Sequence, residues 1–550
     1  MIRRLAALGA LLALGATACT RVGADGKTPD GHNPWTRSDV LTVAAAADPK
    51  NLDPVLASSE PTLELSPFVF SYAVVYDDHA RPVPDALREI PTVENGDVSR
   101  DGLTLRYKLR PHIRWHDGAP LTCADLRFTW RVMVNPHNNV VTTDGYKSIR
   151  DIDCRDPLVA VIHMKQIYAP FLQQLWSVNG NAPILPEHVL ARYNDDRGSF
   201  NSAPYHAAPV GSGPYRFVAW DRGSDVRFEA FPGYFGGKPK IKYIVYKILA
   251  DENTLATQLE THEIDVLFHG TGAVWQRIRA VPGTTAITPP IYTYDHIDFN
   301  LRRPIFADVR VREALEDALD RPAMLAKVQH GLGELAETDQ SPSLGAAYDP
   351  TVPRHPYSPA RARALLDAAG WHTGADGIRV RNGQRFAFTM STQTEAQIGQ
   401  EIETAAQAYW TAIGAQVTIK NAPTSSFFDN TANGILQGGK YDVATFAWSS
   451  AADPDDSAIY SGDNFAPHGQ NALFWNDRLA TDAMNDALAT VDWKRRVADY
   501  HVVQQRLASR VPTIVLWFRH EPEVYNNDLK GFSATPVITT PFWKPERYSF

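Results

Sequence analysis

No segment of this sequence beyond its N-terminus approaches eighteen consecutive apolar residues, so none suits a permanent membrane-spanning helix. Basic charge is not in excess: 54 Lys and Arg stand against 62 Asp and Glu, a formal charge of −8, which argues against a nucleic-acid partner. H-E-x-x-H, G-x-S-x-G and Walker A motifs are missing, and FHGTG at 268–272, which faintly resembles an oxyanion loop, has no G-x-S-x-G to serve; no catalytic residue is expected. The seventeen histidines are scattered, with no i, i+4 pair on an evident helix face beside a carboxylate, so neither a protein-ligated metal nor a cofactor is called for. Internal repeats and low-complexity tracts are absent, and 550 residues exceed one typical core, which implies two or three compact lobes.

What is present begins at the N-terminus. Arg3 and Arg4 precede LAALGALLALGATA, too short to span a bilayer but long enough for a secretory signal over residues 1–18. Ala16 and Ala18 supply the small residues of a cleavage site. Cys19 follows, placed as in the lipobox of bacterial lipoproteins, which it resembles except for Ala16 where those proteins prefer leucine. The reading is an exported chain, periplasmic or on the outer face of the cytoplasmic membrane. It is anchored by lipid on Cys19, and residues 19–39, rich in Gly, Pro, Asp and Thr, form a flexible tether. The alternative is an ordinary cleavage that leaves a free thiol.

The stretch RWHDGAPLTCADLRFTW, residues 114–130, gathers His116, Asp117, Thr122, Cys123 and Asp125. Leu103, Leu105, Tyr107 and Leu109 alternate with polar residues as a half-buried strand does, and IRWH reads as a second short strand before a turn at Asp117-Gly118. Thr122 and Asp125 then have nearly the spacing of a capping box before a helix. These elements account for every polar group. With only Cys123 and Cys154 internal, an exported protein favours a Cys123–Cys154 disulfide. Two inert buried thiols, or a nucleophile at Cys123 served by His116 in a secreted hydrolase, are the alternatives.

DGLTLRYKLRPHIRWHDGAPLTCADLRFTW, residues 101–130, resembles the signature of the extracytoplasmic solute-binding proteins of ABC importers, family 5, the dipeptide, oligopeptide and nickel binders. Asp101, Gly102, Leu109, Arg110, Asp117, Gly118, Pro120, Leu121, Thr122 and Asp125 fall into its register, and Cys123 stands where many members have alanine. NLDPVLASSE, PVGSGPYRFVAW, ADENTLATQLETHEIDVL, YSPARARALLDAAGW and YDVATFAWSSAADPDD follow in the family's order. YSPARARALLDAAGW is also a helix on physical grounds, with Ser358 as N-cap, Pro359 in the first turn and Gly370 at the end.

The resemblance implies an α/β class II periplasmic-binding-protein fold, two lobes joined by a hinge. Lobe I takes 40–73, 210–288 and 513–550, with an inserted subdomain at 74–209; lobe II takes 289–512. It implies no enzyme but a monomeric carrier that captures a peptide-like solute and delivers it to an ABC transporter's permease subunits and their ATPase. The same fold equally hosts binders of a glycan or metal chelate, and sensors or chaperones. By position the solute lies between Ser58, Ser59 and Glu60, a strand in peptide binders, and the loop Phe446, Ala447, Trp448, Ser449, Ser450 and Ala451. Trp448 serves as an apolar wall, with Tyr292 and Tyr294 at the first crossing. Peptide binders commonly place an aspartate three residues after the tryptophan, where it pairs with the solute's α-amine. Here that position is Ala451, and Asp453 is the substitute to consider against a reading of DPDD as a solvated turn.

Overall fold

The computed structural model describes residues 31–57, 59–268, 272–535 and 542–550. The signal segment, Cys19, the start of the tether, Ser58 and part of FHGTG lie outside the described residues.

Two mixed sheets organise the chain. The first has seven strands in the order Thr284–Ile287, Glu523–Asn526, Val266–Leu267, Val40–Ala45, Tyr243–Ile248, Asp225–Ala230, Tyr215–Asp221. Its central strand, VLTVAA, pairs in parallel with both neighbours and is buried on both faces from Leu41 onward, which is why it reads as an apolar run interrupted only by Thr42. Tyr243–Ile248 alternates instead: Ile244, Tyr246 and Ile248 are buried, with half-buried residues between them. The second sheet has six strands in the order Gly333–Leu335, Thr513–His520, Pro290–Phe299, Val443–Ser449, Ala387–Ser391, Gln416–Ile419. Leu315, Trp371, Trp410 and Trp517 belong to a separate buried cluster in this second lobe.

The chain passes from the first sheet to the second between Ile287 and Pro290, and returns between His520 and Glu523. This corrects the division at 512: Thr513–His520 pairs with Pro290–Phe299 and belongs to the second lobe, not the first. TIVLWFRH is buried through its first six residues, and a strand covered on both faces carries no mark of which sheet it joins. The two crossings lie side by side, with Glu521 N–H donating to Pro289 O at 2.9 Å and Pro290 opposite His520.

Between Val40–Ala45 and Tyr215–Asp221 the chain builds an antiparallel sheet ordered Thr104–Lys108, Val159–Met164, Ile149–Asp156, with the helix Cys123–Val134 against it. Tyr107, Trp115 and Trp176 of this insertion share one buried cluster with Leu41, Phe228 and Ile244 of the first sheet, so the insertion extends that lobe's core. IRWH forms no strand, only a bridge between Arg114 and Pro120. The turn closes too soon for a longer ladder: Gly118 N–H donates to Trp115 O at 2.8 Å, and Gly118 takes φ +94°.

Candidate functional site

The cysteine-histidine motif is spent on architecture. Cys123 is joined to Cys154 with their Cα atoms 5.6 Å apart, and it is fully buried. Thr122 caps its helix in a capping box with Asp125, whose other oxygen accepts from Glu187 N–H at 3.0 Å. His116 ties the insertion to the first lobe: Gly211 N–H donates to Nδ1 at 3.2 Å, and Nε2 donates to Gly213 O at 3.0 Å. Burial pushes its pKa down to about 4, so at neutral pH it is an uncharged structural clamp. Asp117 faces His188 at 2.8 Å. With Cys123 oxidised, no thiolate stands beside His116.

The strand Pro290–Phe299 carries the chemistry of the cleft, because alternation divides it into two faces. Asp295, Ile297 and Phe299 point to the helix-covered side; there Asp295 accepts from Arg519 at 2.6 and 2.8 Å, from Trp517 Nε1 at 2.7 Å and from Gln329 at 3.0 Å. Tyr292, Tyr294, His296 and Asp298 take the other side. In the neighbouring strand Trp448 lies opposite Tyr294 and Phe446 opposite His296. Together they line a cavity of about 180 Å³ completed by Tyr460, whose hydroxyl is 3.1 Å from that of Tyr294.

Tyr292, two residues earlier on the same face, borders a much larger cavity of about 1150 Å³ between the insertion and the second lobe. Tyr76, Phe171 and Gln173 line it from the insertion, Asp453 and Arg496 from the second lobe. Its volume exceeds the roughly 300–1,000 Å³ of a pocket for a small molecule.

The loop after Trp448 joins the two cavities, with Trp448 bordering the small one and Ala452 the large one. Ser449 turns away, its hydroxyl 2.8 Å from that of Thr293, and Ser450 donates to Tyr292 O through both N–H and hydroxyl at 3.1 Å. Ala447 and Ala451 are half-buried and bring no polar side chain. Asp453 is not a solvated turn residue. Arg496 grips it bidentately at 2.6 and 2.7 Å from a side chain only 4 % exposed, and its backbone N–H reaches across to Gln173 Oε1.

On the first-lobe side, the extended strand expected at Ser58, Ser59 and Glu60 is not formed at the two described positions. Ser59 is the N-cap and Glu60 the first residue of the helix Glu60–Val69. Pro61, with φ already fixed near the helical value, starts a helix there. Ser59 and Glu60 border neither of the two cavities above; Glu60 lines a separate one of about 70 Å³.

His296, Asp298, Gln173 and Arg496 escaped the sequence reading. The first two had a signal, since the alternation through Tyr292 and Tyr294 continues onto them in YTYDHID. The others meet their partners only through tertiary contacts. Among the described residues no helix is long and apolar enough to cross a membrane.

Residues 52–467 match the family described as bacterial extracellular solute-binding proteins, family 5. The oligopeptide-binding protein AppA of Bacillus subtilis is 24% identical over 503 residues, 90% of this chain and 89% of that protein. The solved structure of B. subtilis AppA with a nonapeptide superposes with a TM-score of 0.74 at 23% identity, over 93% of this chain and 98% of that one. NikZ from Campylobacter jejuni, solved with Ni(L-His), gives 0.76 at 23% identity, over 94% and 100%. At such identities the structures establish a shared fold.

Proposed function

We infer the role of this chain from the family to which it belongs, the bacterial extracellular solute-binding proteins of family 5: it captures a peptide-like solute between its two lobes and hands it to the permease of an ABC transporter. The observation that carries this reading is the 1150 Å³ cavity bounded by the insertion on one side and by the second lobe on the other. A solute in it touches both bodies and so favours their closed arrangement, and that differential affinity is all a carrier needs. No step of bond chemistry is required.

Peptide is the favoured solute class because the relatives include a named oligopeptide-binding protein and because the cavity is large. Neither position 451 nor Asp453 offers the solute's α-amine a free carboxylate. Ala451 has no carboxylate, and both oxygens of Asp453 are already engaged by Arg496. An ammonium buried without a counter-charge is costly, so the solute is held through its backbone and side chains, or its amine stays in water. Export and a lipid on Cys19 complete the reading and keep the carrier beside its permease.

Native mass spectrometry of the exported protein purified from its own host tests this. Bound peptides of several residues support the reading; a homogeneous non-peptide cargo sinks the peptide assignment.

A further inference from the structure

The small cavity of the second lobe has a chemistry that capture alone does not require. Asp298 lines it, 3 % exposed, and its Oδ1 has no hydrogen-bond partner among the described residues. His296 Nε2 lies 3.4 Å from Oδ2; His296 is itself 3 % exposed, and its Nδ1 has no hydrogen-bond partner among the described residues. Gln437 adds a third unmet atom, Oε1, an acceptor only. Buried acceptors without donors are rare in folded proteins, and several in one cavity call for a donor-rich occupant.

The charges around the cavity have the sign for a cation. Among the described residues that line it, Asp298 is the carboxylate and there is no Lys or Arg. Arg302 and Arg303, the arginines nearest along the chain, are engaged elsewhere. Arg302 stacks on Phe474 at 3.5 Å, and Arg303 pairs with Asp442 at 2.9 Å. The walls are Phe446, Trp448 and Phe428, the last 45 % exposed, and aromatic faces attract a cation.

Resting on the reading of this chain as a solute carrier, we propose that the cavity is a specificity pocket for a cationic side chain of the solute, a primary ammonium or a guanidinium. Asp298 is its counter-ion, Gln437 its second acceptor, and Phe446 and Trp448 its walls. At 180 Å³ the pocket takes one side chain and not a whole solute. Tyr292 borders the large cavity and Tyr294 the small one, two residues apart on one strand face, so the pocket lies beside the cavity that would hold the rest of the solute.

Calorimetry on the cargo-free protein tests the pocket. The probes are N-acetylated pentaalanine amides carrying, at one position at a time, lysine or its uncharged isostere norleucine, and butylguanidinium as a free fragment. In at least one register lysine should bind tenfold or more tighter than norleucine. Asp298→Asn should erase that preference, with an unchanged circular dichroism spectrum showing that the variant is folded, and Gln437→Leu, at a half-buried position, should reduce it several-fold. Equal affinities in every register, or a preference that survives both substitutions, overturn the proposal. Should no peptide of either kind bind, the peptide reading fails and butylguanidinium decides the pocket. Binding lost in Asp298→Asn upholds it, and no binding, or binding indifferent to Asp298, overturns it.

Discussion

Asp453 and Arg496, 43 positions apart, meet in a bidentate pair, and on the proposed reading that pair decides how the cleft treats a peptide's amino terminus. With that carboxylate committed, one oligopeptide in free and N-acetylated forms should bind with nearly equal affinity in calorimetry; a loss of two orders of magnitude on acetylation would show that a carboxylate still reads the amine. Arg496→Leu should lower stability by roughly 3–5 kcal/mol in urea unfolding, since it strands a buried carboxylate. It should also create a preference for the free amine, because Asp453 would then lack a partner. Cys123 and Cys154, 31 positions apart, constrain the unfolded chain instead. Replacing both by serine should cost about 3–4 kcal/mol on the chain-entropy account, and unfolding curves that superpose on the wild type would contradict it.

At the scale of elements, a buried ionic junction joins the helix Val309–Asp317 to the helix Trp493–Arg510 through His355. His355 Nε2 donates to Ala508 O at 3.0 Å, while Asp317 lies 3.5 Å from Nδ1 and Glu316 3.8 Å from Nε2, contacts of charge more than of aligned hydrogen bonds. Burial alone would lower the imidazole pKa, but Asp317 and Glu316 outweigh it and hold it at about 9; burial raises Glu316 itself to about 7. Both folded values lie above the unfolded ones, so the folded state binds the extra protons. The His355 contribution is complete below about pH 6.5 and lost as pH rises through 9, and Glu316 adds a decline between about 4.5 and 7. His355→Gln should therefore destabilise by up to about 3 kcal/mol at pH 6 and by little above pH 9.5, as thermal unfolding across that range would show. A loss independent of pH would refute the junction's charge.

Elements with local causes were legible in the sequence. Thr122 and Asp125 sit three apart and form their capping box, and Ser358 caps Pro359–Ala368 by accepting from Arg361 N–H. Tyr292 and Tyr294 showed their alternation, though not which face met the cleft, because that depends on Val443–Ser449 lying alongside. Ser59 and Glu60 misled because the likeness to relatives pointed to a strand where Pro61 begins a helix. Arg496 gave no warning in a helix crowded with basic residues, WKRRVADYHVVQQRLASR; only folding selects the one arginine that turns inward.

The whole molecule has two lobes, two adjacent crossings and a large cavity facing both. Residues 288–289 and 521–522 are the places where the backbone can turn, because sheet pairing holds the chain on either side of each. Closure about these two points should bring the insertion and the second lobe together around the solute without disturbing either core. Small-angle scattering of the protein, cargo-free and then saturated with the cargo eluted from it, tests capture between the lobes most directly. The account predicts a smaller radius of gyration on saturation, and an unchanged radius at confirmed full occupancy would contradict it.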